Sequence, residues 1–109
     1  MNAQYSRMTE EALREEIKEL RVAAQKAEAK GMINEYAVHE RKILMAEAYL
    51  LDPADYEAGA VYSMKDDPAE TFEINYMNGV FAWGYRNSGK KLEAVPISVL
   101  GNKLSQGEG

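Results

Sequence analysis

The sequence contains no cysteine and only one histidine among its 109 residues. Without cysteine the chain cannot form a disulfide, bind a metal through a thiolate or use a cysteine nucleophile. Long hydrophobic runs are also missing, so neither a signal peptide nor a membrane-spanning segment is predicted. We therefore expect a cytoplasmic protein that does not act at a membrane.

Positive charge is scarce in the C-terminal part of the chain. Residues 1–51 carry eight Lys/Arg against nine Asp/Glu, whereas residues 52–109 carry five against nine, a net charge of −4. A DNA-binding protein typically neutralises about 6–10 phosphates with cations. The C-terminal part has too few cations for this role, and its acids would repel phosphates. Nucleic acid is therefore disfavoured as a partner.

The N-terminal part has the pattern of a helix. After a short arm over residues 1–8, Thr9 is placed to cap a helix over about residues 10–30, and Gly31 is placed to end it. Apolar residues recur every three or four positions along this helix, as they do on a single buried face. The predicted buried residues are Leu13, Ile17, Leu20, Ala24 and Ala27.

A second helix is predicted over residues 33–51, because Asp52-Pro53 stops it. The short connection predicts an antiparallel helical hairpin over residues 1–53. The second helix is apolar on two sides, so it should contact two neighbours. Its wide apolar arc comprises Ile33, Tyr36, Ala37, Ile43, Leu44, Leu50 and Leu51. The smaller patch, a possible helix interface or homodimer contact, comprises Val38, Met45 and Tyr49.

Residues 54–109 have short β-type runs separated by turns. A first strand is predicted over Ala60–Met64, a short fourth strand over Glu93–Val95, and a frayed tail from about Asn102. Gly84 is expected to bend the sheet, which favours a small, partly open barrel over a flat sheet. The predicted fold class is therefore α+β, with a helical hairpin followed by a small β-barrel.

Asn78-Gly79 predicts the tight turn of the central hairpin, since a type I′ turn needs positive φ at both central residues. With that turn, Tyr76 would face Phe81 and Ile74 would face Trp83. The aromatic side chains would then share one face of the ribbon. Because a small domain needs its large side chains for burial, we expect this face to be the core rather than a ligand surface, with partial exposure of Tyr85 as the main alternative. Its members would be Phe72, Ile74, Tyr76, Phe81, Trp83 and Tyr85.

No residue pattern indicates catalysis, a cofactor or a metal. His39 has no serine, cysteine or second histidine to complete a triad, and is interpreted as a boundary residue of the second helix. Glu40 and Glu47 lie inside the apolar arc, but the Glu-x-x-His pattern of di-iron bundles is missing because Tyr36 stands three residues before His39. The two glutamates are expected to form a polar seam with Arg14, Lys18 or Arg21 of the first helix, or to be exposed.

Three blocks of this sequence resemble the YfhH-like family of small proteins from Gram-positive bacilli. These blocks are NEYAVHERKILMAEAYLLDP (34–53), YMNGVFAWGYR (76–86) and EAVPISVL (93–100). The resemblance implies a helical hairpin over residues 1–53 attached to an SH3-like β-barrel over residues 54–109. It implies no reaction, cofactor or small-molecule substrate, and no functional residue is carried over from it.

The function favoured at this point is a non-enzymatic adaptor or scaffold that binds a protein partner. The alternative is a regulatory protein that binds nucleic acid through the SH3-like barrel. If the barrel binds a partner, one rim of its loops is the predicted surface. This rim comprises Tyr85, Arg86, Asn87, Lys90 and Lys91.

Overall fold

The computed structural model describes residues 5–105, and the chain divides after Leu50 into two compact units. The first, here called the helical unit, contains two packed α-helices preceded by a 3₁₀ turn. The bounds are Tyr5–Arg7 for the turn, Glu10–Ala29 for α1 and Ile33–Ala48 for α2. No helix in the described part of the chain is long and apolar enough to cross a membrane.

Both ends of α1 are capped as the sequence predicts. The Thr9 hydroxyl accepts a hydrogen bond from the Ala12 amide (3.1 Å). At the other end Gly31 has a φ of +71° and donates its amide to Glu28, while the Met32 amide donates to Ala27 (2.8 Å). These two bonds form a Schellman motif, which glycine favours because it adopts positive φ without steric cost.

The five buried residues of α1 are the five that the periodicity predicts, from Leu13 to Ala27. The prediction for α2 is only partly correct. Its C-terminal half is buried at Ile43 and Ala46, but Ile33 at its start is 77% exposed. The helix also ends at Ala48 rather than near Leu51, because the Tyr49 and Leu50 amides form turn bonds.

The second unit, here called the sheet unit, is a five-stranded antiparallel sheet with the order β4-β3-β2-β1-β5. Two 3₁₀ turns accompany the strands, Pro53–Asp55 before β1 and Ile97–Val99 between β4 and β5. The strands are β1 Val61–Met64, β2 Thr71–Asn78, β3 Phe81–Arg86, β4 Leu92–Pro96 and β5 Leu100–Ser105.

The sheet is curled rather than flat, but the predicted barrel is not shown, because no pairing between β4 and β5 closes it within residues 5–105. Four residue steps lead from Pro96 on one edge strand to Leu100 on the other, and they span at most about 14 Å. In a flat sheet those strands would lie about 19 Å apart. The intervening turn contacts both sides, since Ile97 donates to Val80 and Lys65 donates to Val99 (2.9 Å each).

The C-terminal tail differs from the prediction as well. Residues up to Ser105 form β5 and pair with β1 instead of fraying from Asn102. The Asn102 amide donates to the Ser63 hydroxyl (2.9 Å), and Gly101 lies so close to Ser63 that a Cβ would be 2.6 Å from that oxygen. A glycine and a small hydroxyl residue thus let β5 approach β1 closely. Residues 106–109 and the first four residues of the predicted arm lie outside the described part.

The central hairpin turns one residue later than predicted. Asn78 pairs with Phe81, so the two central residues are Gly79 and Val80, and only Gly79 has a positive φ. This is the pattern of a type II′ turn rather than type I′. The shift has a physical reason, because Val80 becomes buried and its carbonyl accepts the amide of Ile97.

A β-bulge at Asn75 divides β2 into two parts, and the alternation of inward and outward side chains does not continue across it. Ile74 pairs with Gly84 and Tyr76 pairs with Trp83, so Asn75 is an extra residue without an opposite partner. The bulge puts Ile74 on the inner face of the sheet and Tyr76 on the outer face. The prediction that Ile74 and Tyr76 share a face is therefore wrong.

The inner face of the hairpin is formed by Phe72 and Ile74 on β2 and by Ala82 and Gly84 on β3, all buried. A Cβ on Gly84 would lie 1.9 Å from the carbonyl oxygen of Glu73 and 3.0 Å from the ring of Phe72. Glycine is therefore required at position 84, and the Phe72 ring occupies the space beside it.

Candidate functional site

Four of the six predicted core residues lie on the outer face of the sheet, which corrects the sequence prediction. Along β3, Phe81, Trp83 and Tyr85 alternate with the buried Ala82 and Gly84. All three aromatic residues are half-buried. Tyr76 completes the group, whereas Phe72 and Ile74 are in the core as predicted.

The Tyr76 and Trp83 rings are stacked across the two strands. Their centroids are 5.8 Å apart and their planes are 4° from parallel. The two residues are directly paired in the register, and Tyr76 keeps 43% of its surface exposed beside Trp83. Offset parallel stacking of this kind stabilises both rings and fixes their orientation while leaving much of the tyrosine ring accessible.

Apolar residues of β4 extend this surface. Leu92, Ala94 and Pro96 pair with Tyr85, Trp83 and Phe81 and therefore lie on the same face. Leu92 is 39% exposed. We call this surface the aromatic face and define it as Tyr76, Phe81, Trp83, Tyr85, Leu92, Ala94 and Pro96.

On the paired strands that carry the aromatic face, the charge beside the rings is negative. Glu73 is exposed and pairs with Tyr85, so its side chain belongs to the same outer surface of β2. Within the paired segments of β2, β3 and β4, it is the one charged residue on that surface. A cationic group would therefore be favoured beside Tyr85.

Two residues of the predicted rim have structural roles. Arg86 lies on the opposite side of the sheet from Tyr85, where its Nε and Nη2 donate to the two carboxylate oxygens of Glu93 (3.2 Å each). Its Nη1 also reaches Glu70 at 3.5 Å. These carboxylates, Glu93 foremost, raise the pKa of the Arg86 guanidinium. Arg86 is thus neutralised by the protein itself.

Asn87 holds the start of β2 in place. Its side-chain oxygen accepts the Thr71 amide and its own amide donates to the Thr71 carbonyl, both at 2.8 Å. Asn87 and Ser88 have φ values of +54° and +61°, so the β3–β4 connection begins with a type I′ turn. Of the five rim residues, Lys90 and Lys91 remain as exposed cations and Tyr85 belongs to the aromatic face.

The predicted helix interface is divided in the structure. Val38 is 43% exposed, but Met45 and Tyr49 pack against the hydrophobic core of the helical unit that includes Tyr5. The N-terminal 3₁₀ turn thus supplies a neighbour for Met45 and Tyr49 within the helical unit. A homodimer through the helices stays a prediction.

A groove of about 410 Å³ lies where this turn meets the helices, lined by Met45, Tyr49 and Arg41 among others. The Tyr5 hydroxyl donates to Glu16 at 3.4 Å. Burial, together with the charge of Glu16, raises the pKa of Tyr5 above its usual value. The groove is thus amphipathic, with apolar side chains beside the charged groups of Glu16 and Arg41.

The polar seam is confirmed at one of its two glutamates. Glu47 accepts a hydrogen bond from Arg21 at 2.7 Å, one of the partners predicted for it. Glu40 is exposed beside Tyr36, and its charge raises the pKa of that tyrosine. His39 is half-buried on the flank of α2, as predicted, and its Nδ1 is buried without a hydrogen-bond partner.

The described residues contain no candidate metal site, because no three carboxylate or imidazole side chains converge among them. The arrangement with a clear chemical capability is the aromatic face, which can bind apolar or planar groups by stacking and burial. The sequence contains the signal for it, in the alternation of Phe81, Trp83 and Tyr85 with small residues. It does not reveal the bulge that decides which set points outward.

Comparisons with known proteins place the chain in a family. A family model described as a protein of unknown function, DUF1811, matches residues 3–101. The chain is also 54% identical to the uncharacterized protein YfhH of Bacillus subtilis (strain 168) over 104 residues, which cover 94% of this chain and 99% of that protein. Both matches agree with the resemblance found in the sequence, and the chain belongs to the DUF1811 family, whose function is unknown.

Proposed function

We propose that this protein is a non-enzymatic interaction module that binds a protein partner through the aromatic face. The observation that carries the proposal is the stacked pair Tyr76–Trp83 on the outer surface of the sheet, with Tyr76 43% exposed. Exposed aromatic residues in a contiguous patch are typical of interaction surfaces, where they supply large contact areas at low conformational cost.

The distribution of side chains supports a binding role over a packing role. Burying an aromatic side chain removes about 150–250 Å² from water, which is worth several kcal/mol at about 25 cal/mol per Å². In the sheet unit the tryptophan and two tyrosines forgo part of that gain, while Ala82 and Gly84 occupy the inner face of the same strand. A bound partner would complete the burial of these rings.

The fold that we propose is the SH3-like one, in an open form. The antiparallel order β4-β3-β2-β1-β5 and the 3₁₀ turn between β4 and β5 support this assignment. The curled sheet brings its edge strands within reach of a three-residue connection. Since a fold does not determine a function, the interaction role rests on the aromatic face alone.

A photo-crosslinking experiment in the native host tests the interaction role. Leu92 is replaced by p-benzoylphenylalanine, and Leu104, which is 54% exposed on β5, receives the same replacement as a control. We expect a discrete protein adduct from position 92 that is lost on adding Tyr76→Ala, and no such adduct from position 104. Equal adducts from both positions, or none from position 92, would contradict the proposal.

Single-stranded nucleic acid is the second candidate, because bases also stack on exposed aromatic rings. The Tyr76–Trp83 pair favours it, whereas Glu73 and the net charge of −4 over residues 52–109 oppose it. The fluorescence of Trp83, the one tryptophan, reports binding directly. A saturable change with an oligothymidylate at low salt, lost steeply as salt rises, would support this candidate.

A further inference from the structure

We propose that the aromatic face binds a proline-rich segment in the polyproline II conformation, with a basic residue placed beside Glu73. This inference rests on the proposed interaction function and names its ligand class. Three features of the face carry it: the spacing of its rings, the state of the backbone beneath them and the charge beside them.

The rings form a row with the length of a short extended segment. Phe81, Trp83 and Tyr85 occupy alternate positions of β3, so the outer two are about 13 Å apart along the strand. A polyproline II helix rises about 3.1 Å per residue, so about four residues span this row. Tyr76, stacked on Trp83, widens the row at its centre.

The backbone beneath the rings excludes one common mode of peptide binding. β3 is a central strand paired with both β2 and β4, so its backbone groups are committed to the sheet. A ligand that adds as a β-strand needs an open edge, whereas a polyproline II segment has no need for such partners, since its backbone remains solvated. A ligand over β3 must therefore bind through side chains.

The chemistry of the face favours proline over a helical ligand. Its large members are mostly aromatic, and proline rings pack against aromatic side chains in a conformation that they already hold in solution. That preorganisation lowers the entropic cost of binding on a surface that offers no deep cavity. An amphipathic helix instead requires a hydrophobic groove for its apolar stripe.

Charge determines which proline-rich segments fit. Glu73 is exposed opposite Tyr85 on the aromatic face, whereas Arg86, the last residue of β3, is bound by Glu93 and Glu70 on the opposite side of the sheet. Lys90 and Lys91 are exposed in the β3–β4 connection, outside the paired strands. An arginine or lysine of the ligand would therefore be attracted to the Tyr85 end of the row. Glu73 itself would repel the phosphates of nucleic acid and the carboxylates of acidic peptides.

The test is a titration of the full chain in which the fluorescence of Trp83 is measured at each ligand concentration. The probe is decaproline with two arginines at each end. Its matched control has the same arginines around a Gly-Ser segment of equal length, and an oligothymidylate is the third ligand. We expect a saturable blue shift with the arginine-flanked decaproline alone, weakened by salt.

Variants locate the site on the aromatic face. Tyr76→Ala removes half of the stacked pair and should weaken binding about tenfold, while Leu104→Ala should leave it unchanged. Glu73→Gln changes an exposed side chain and leaves the core intact. This variant should bind the decaproline probe several-fold more weakly, and its binding should depend less on salt. Circular dichroism establishes that each variant is folded before the comparison is made.

Three results would overturn the proposal: no saturable shift with the arginine-flanked decaproline, equal binding of the Gly-Ser control, or tighter binding of the oligothymidylate. Unchanged affinity in both Tyr76→Ala and Glu73→Gln would also do so. If the decaproline fails while the photo-crosslink from position 92 persists, the ligand class is wrong but the interaction function stands. If both fail, the aromatic face has no binding role.

Discussion

The inner and outer faces of the curled sheet differ in how deeply their side chains are buried. The inner face combines Phe72 and Ile74 with Ala82 and Gly84, and every one of these residues is buried. The outer face carries Trp83, the largest side chain of the unit, in a half-buried position beside the exposed Tyr76. The inner face is thus closely packed around small residues, while the outer face keeps rings accessible.

This difference separates what stabilises the unit from what can recognise a partner. On the inner face Gly84 cannot accept even a methyl group without striking the Glu73 carbonyl. On the outer face Tyr76 touches Trp83 and still exposes 43% of its surface. Substitutions on the two faces should therefore affect different properties of the protein.

The largest expected effect is the loss of an inner ring. Phe72 has no exposed surface, so Phe72→Ala leaves a cavity and should lower the free energy of unfolding by about 3–5 kcal/mol. Tyr76→Ala on the outer face should cost only about 1 kcal/mol, close to the value of the lost ring stacking. Urea unfolding followed by circular dichroism measures both. Equal costs would remove the distinction between the two faces.

Gly84→Ala tests the close approach of β3 to β2. The new methyl group meets the backbone oxygen of Glu73, which cannot move aside without disturbing the ladder, so we expect a loss of about 3 kcal/mol. Gly89→Ala in the exposed turn is the matched control, because its Cβ would lie 3.0 Å from the Arg86 carbonyl, a tight contact without the overlap at Gly84, so it should cost less. Thermal unfolding of the two variants provides the comparison.

Arg86 should contribute less than either inner residue. Its ion pairs with Glu93 and Glu70 are partly exposed, so Arg86→Ala should lower the free energy of unfolding by about 1 kcal/mol at low salt. The loss should shrink at high ionic strength, since salt screens the pairs. Lys90→Ala, which removes the same charge from the adjacent β3–β4 connection, should have almost no effect in the same urea titration.

The smallest effect is a pH dependence in the helical unit. Burial and Glu16 raise the pKa of Tyr5 in the folded state, so its contribution is complete below the ordinary tyrosine value of about 10 and is lost as pH rises through the folded pKa. Tyr5→Phe cannot ionise, so its stability should fall less steeply between pH 9 and 11. Parallel curves for the two proteins would contradict this assignment.

The helical unit was predictable because one period governs it. Leu13 through Ala27 follow a helical repeat without interruption, and Thr9 and Gly31 mark its ends, so the buried face of α1 follows directly from the sequence. The exposed start of α2 was not predictable in this way, because Ile33 fits the apolar arc yet lies beyond the extent of the core.

The sheet unit was less predictable because a single extra residue in a strand reverses which of its side chains face inward. Four of the five antiparallel strands follow from the turn signals, whereas β5 lies where the sequence predicts a turn and a frayed tail. A bulge at Asn75 and a one-residue shift of the turn decide which side chains face inward. The burial of Val80 favours that shift through tertiary contacts with Ile97. Since local patterns do not contain those contacts, the aromatic face emerged only in the folded structure.

The central claim is that the aromatic rings lie outside the core and are accessible to a partner. Acrylamide quenching of Trp83 fluorescence tests it most directly, because the chain contains a single tryptophan. We predict that the native protein is quenched to an intermediate degree, well above a buried tryptophan and below the urea-unfolded chain. A native tryptophan protected from acrylamide, with the blue emission of an apolar core, would contradict the account.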